Sequence, residues 1–105
     1  MPNRSPFRAI DPQEILAQAT ADGHVVVVTD ELLRVTSNNR VRLEVPIEDV
    51  RRIQFDIERE RPATLVIVPD SPSDDAQVIS VPPEDYVEVS QTLAILGLEM
   101  AKHKN

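Results

Sequence analysis

His24 and His103 are the only imidazoles in a 105-residue chain that has no cysteine. A zinc-type site needs three or four His, Cys or carboxylate ligands converging on one point. No spaced His cluster accompanies either ring, so both read as structural. Ser37 and Ser80 stand near strand ends, but neither has the Gly-x-Ser-x-Gly elbow that exposes a nucleophile. With Gly23 and Gly97 as the only glycines, no glycine loop can be assembled to cradle a phosphate. Asp70, Asp74 and Asp75 gather carboxylates that suit a hard cation, yet the glycine and distal glutamate of a calcium loop are missing. They read as a solvated loop. The expectation is a protein that is not an enzyme and that carries no cofactor and no metal.

The arginines are the remaining chemical candidates. Arg4 and Arg8 have the Arg-x-x-x-Arg spacing of a cyclic-di-GMP-binding motif, but its second half, Asp/Asn-x-Ser-x-x-Gly, does not follow downstream. Arg34, Arg40, Arg42, Arg51 and Arg52 fall within nineteen positions of a chain whose formal charge is -7. They form a candidate docking patch for an acidic partner. A three-residue loop, Ser37-Asn38-Asn39, would set Val35 opposite Val41 and Leu33 opposite Leu43, which keeps the apolar side chains on one face. The same register sets Arg34 against Arg42, and like charges so placed call for a carboxylate, an anion or a bulge. Glu31 and Glu44 are near enough in sequence to answer one of them internally.

These side chains need elements to hold them, and composition restricts the choice. Charged residues make up 28% and hydrophobic residues 41%, ordinary for one globular domain and too apolar for a disordered chain. Of 30 Val, Ile and Leu residues, 22 are Val or Ile, whose branched Cβ suits a pleated surface. Phe7, Phe55 and Tyr86 are the only aromatics, so the core is aliphatic and large pocket anchors are scarce. Net negative charge disfavours nucleic acid and anionic lipid, which attract positive fields. No unbroken aliphatic run exceeds the four residues of Val25 to Val28, far short of the ~20 of a membrane-spanning helix. The start of the chain also lacks the apolar stretch of a signal peptide, which points to a cytoplasmic protein.

Along the chain, residues 1–10 read as a flexible arm and 11–105 as one domain. Asp11-Pro12-Gln13-Glu14 carries a helix-start signal, while residues 15–20 suit either a helix or a first strand. His24 to Thr29 is a buried strand, and Leu33, Val35, Val41, Leu43 and Val45 alternate with polar residues in two more. Ile47 to Val50 reads as a single helical turn. Ile53, Phe55 and Ile57 mark the next strand, followed by Thr64 to Val68 and Gln77 to Val81, with the acidic loop 69–75 between the last two. Pro82-Pro83-Glu84-Asp85 opens a helix over about 83–102, with Tyr86, Val89, Leu93, Leu96 and Met100 on one stripe.

Six or seven antiparallel strands closed by a C-terminal helix is the element order of the pleckstrin-homology (PH) superfold. Residues 11–17 and 23–33, with the turn Thr29-Asp30-Glu31, resemble the opening of GRAM and bacterial PH-like domains. Pro46-Ile47-Glu48-Asp49-Val50-Arg51-Arg52-Ile53 is similar to the element that follows there. The resemblance spans roughly residues 11 to 58 and implies a mainly β barrel or sandwich with a structural terminal helix. Phosphoinositide-binding relatives carry Lys and Arg between their first two strands, where this chain has Ala21-Asp22-Gly23. The expected role is therefore a protein-interaction or self-association module. A peripheral binder of anionic lipid, using the arginine-bearing hairpin face, is the alternative.

Overall fold

The computed structural model describes residues 9–59, 61–71 and 74–103. Most of the arm, including Phe7 and the Arg4/Arg8 pair, lies outside these residues, as do two positions of the acidic loop. Among the described residues, seven strands form two antiparallel sheets, followed by one α-helix. The first sheet joins β1 (Ala17–Ala21), β2 (His24–Val28), β3 (Leu32–Ser37) and β4 (Arg40–Pro46) in sequence order. The second joins β5 (Val50–Asp56), β6 (Ala63–Pro69) and β7 (Gln77–Val81), and α1 (Tyr86–Lys102) closes the described fold. Among the described residues no ladder joins one sheet to the other, so the strands do not close into a barrel. This corrects the barrel half of the expectation; two packed sheets are what form.

The ambiguous segment 11–20 is both turn and strand. Asp11 accepts a hydrogen bond from the Gln13 amide at 2.9 Å, and Glu14 accepts one from the Asp11 amide at 3.2 Å, completing a capping box. Only one 3-10 turn follows, Pro12–Glu14, before the chain extends into β1. The helical grouping of Ile15, Leu16 and Ala19 therefore does not form. A further 3-10 turn, Ile47–Asp49, stands where a helical turn was expected and carries the chain from the first sheet to the second.

Two of the three hairpins of the first sheet turn on residues with positive φ. Asp22 and Gly23 connect β1 to β2 with φ of 49° and 76°, and Asn38 and Asn39 connect β3 to β4 with 55° and 63°. Two consecutive left-handed residues make the tight turn whose twist matches its flanking strands. The β3–β4 loop thus has two residues, not the three expected. A bulge resolves the apparent mixing of faces: the register shifts after Thr36↔Val41, so Val35 pairs with Leu43, Leu33 with Val45 and Arg34 with Glu44. Arg42 is the extra residue. The Arg34–Arg42 opposition does not occur, and the sheet gains an opposite-charge pair in its place.

The core lies between the sheets and under the helix. Val28, Leu33, Val35 and Val45 face Leu65, Ile67, Ile79 and Val81, and Val89 and Leu96 of α1 join them. The helix packs mainly along β1. Its buried stripe includes Thr92 and Glu99 as well as Val89 and Leu96, with Leu93 and Met100 at the margin. Phe55 and Tyr86 meet edge to face with ring centroids 6.1 Å apart, and the Tyr86 hydroxyl donates to the Arg61 carbonyl at 3.3 Å. That contact fixes the start of α1 against the second sheet. Glu88 accepts a hydrogen bond from the Thr20 amide at 2.8 Å, so the helix covers part of an edge that would otherwise offer itself for pairing.

Candidate functional site

The five arginines do not form one surface. Arg34 is 8% exposed and lies on the outer face of the first sheet, in a row with Gln18, Val27 and Glu44. Its Nε and Nη2 both point to Glu44 Oε1. The guanidinium is therefore occupied within the sheet and is not offered to a partner. Arg40 follows the β3–β4 turn and Arg42 is the bulged residue of β4; both are exposed. Arg51 and Arg52 are exposed at the start of β5, where a second bulge displaces Arg51. Arg40 stands six residues before Pro46, about 20 Å at strand rise, so the hairpin tip and the Arg51–Arg52 corner are separate features.

The other chemical candidates are held by local structure. His24 Nδ1 lies 3.0 Å from the Asp22 carbonyl, and His103 Nε2 lies 2.9 Å from the Asp30 carbonyl. These contacts place the two rings near opposite ends of β2, about 20 Å apart at strand rise. Ser80 lies opposite Thr64 on the outer face of the second sheet, and Ser37 closes β3 beside Arg40. In the acidic loop, the Asp70 amide donates to the Asp49 carbonyl at 2.8 Å and that of Asp74 to the Ser71 carbonyl at 3.2 Å. Among the described residues, no three His, Cys, Asp or Glu side chains group so as to hold a metal ion. Nor is any described helix long and apolar enough to cross a membrane.

A feature missed in the sequence stands on α1. The side turned away from the core presents Val87, Ser90, Gln91, Ala94, Gly97, Leu98 and Ala101, all exposed and none charged. Val87 is 68% and Leu98 62% exposed, and Leu16, at 47%, borders the groove that Ile95 and Leu98 line. Three of the five exposed large hydrophobic side chains of the described residues thus collect around one helix. The spacing 87, 90, 94, 97, 101 was legible as a second stripe. It was overlooked because the buried stripe, richer in Leu and Met, accounts for the helix unaided.

Charges frame this face at its ends. Glu84 is exposed just before α1, and Lys102 closes it. Lys102 Nζ donates to Glu99 Oε2 at 2.9 Å, across one turn. That hydrogen bond and the charge of Glu99, with a smaller contribution from Asp30, hold the Lys102 ammonium above the usual lysine range. Glu99 is 5% exposed, so Lys102 supplies the countercharge for an otherwise buried carboxylate. On the other flank, Ile47, Val50, Arg51, Met100 and His103 line an open depression of about 390 Å³.

No protein-family model, no curated protein and no solved structure matches this chain.

Proposed function

We propose that this chain is a non-catalytic, PH-like module that acts by protein–protein association, its partner being another protein or a second copy of itself. The PH-like reading is supported by element order: four strands, then three, then one C-terminal helix packed on the assembly. The observation that carries the association reading is the uncharged outward side of α1, with Val87 and Leu98 standing out from it. Apolar groups gathered on one exposed surface gain free energy when a partner removes them from water. A chain that is 28% charged has kept charge off this surface along about four helical turns.

Binding of anionic lipid through arginines is the alternative, and its support is weaker. Arg34 is engaged by Glu44, and the exposed arginines fall at two separate places. Size exclusion with light scattering, run up to high protein concentration, tests the association reading beside sedimentation with vesicles of anionic phospholipid. An associated species that Leu98→Glu disperses supports association. A monomer at all concentrations that pellets with vesicles at low salt would replace it with the lipid reading.

A further inference from the structure

We draw no further inference here: the strongest candidate, the open depression of about 390 Å³ between the start of the edge strand β5 and the last turns of α1, carries nothing, since nothing in the structure shows what covers it and the Glu48 and Arg51 that line it offset each other in charge.

Discussion

Breaking the Arg34–Glu44 pair should cost far more than a surface ion pair does. The pair lies on the outer face of a sheet, where side chains usually remain in water. Yet the Arg34 side chain is 10% and that of Glu44 18% exposed. Removing one member of a fully buried pair costs roughly 3–5 kcal/mol, and an exposed pair is worth about 0–1. Limited access of water to Glu44 places the expected loss for Glu44→Leu at about 2–3 kcal/mol, because the shielded guanidinium is left without its carboxylate. For a domain of this size that lowers the melting temperature by roughly 10 °C. Arg34→Met alone should lose a similar amount. The double variant Arg34→Met/Glu44→Leu should recover most of it, since two apolar side chains leave no orphaned charge. Urea unfolding followed by circular dichroism, at low protein concentration, gives all four stabilities. If both single variants change stability by less than about 0.5 kcal/mol, the pair is screened like a surface bridge and the reasoning fails.

Other expectations concern the elements that carry α1. Leu96→Ala removes a fully buried side chain between helix and sheets, with an expected loss of about 2–5 kcal/mol in urea unfolding. Asn39→Ala should destabilise the β3–β4 hairpin by about 1 kcal/mol, since alanine resists the left-handed backbone that Asn39 adopts, while Asn39→Gly should not. Glu88→Ala removes the acceptor for the Thr20 amide and should cost about 1 kcal/mol; Glu88→Gln retains a carbonyl acceptor and should cost less. Lys102, raised by Glu99, contributes stability that is fully present below its ordinary value of 10.5 and is lost as pH rises through its folded value. Lys102→Met should therefore lower the urea midpoint at pH 8, with the difference from wild type shrinking at strongly alkaline pH.

Strand positions were readable wherever one face is buried and the other wet. Ile53 and Phe55 announce β5 by their period of two, the apolar run from Thr64 to Val68 marks β6, and β7 begins and ends where its pattern does. The β3–β4 register was not readable, because a two-residue turn and a one-residue bulge together preserve the same apolar face. Only positive φ at both Asn38 and Asn39 separates that solution from a longer loop. Burial of Arg34, Thr92 and Glu99 also escaped detection, since hydropathy assigns charged and polar groups to water, while pairing or packing can hold them inside. The arginine set was visible as a cluster in sequence, and the corner between the two sheets is what divides it in space. The outward stripe of α1 needed the orientation of the helix before it acquired meaning.

A dilution series of ¹H–¹⁵N spectra, on a chain of 11.8 kDa, tests most directly whether α1 is the working surface. The expected shifts with concentration are confined to Val87, Ser90, Ala94, Gly97, Leu98 and Ala101, with Leu16 at their border. Arg40, Arg42, Arg51 and Arg52 should stay still. Shifts centred on those arginines would contradict the assignment, and spectra unchanged from micromolar to millimolar protein would remove its self-association version.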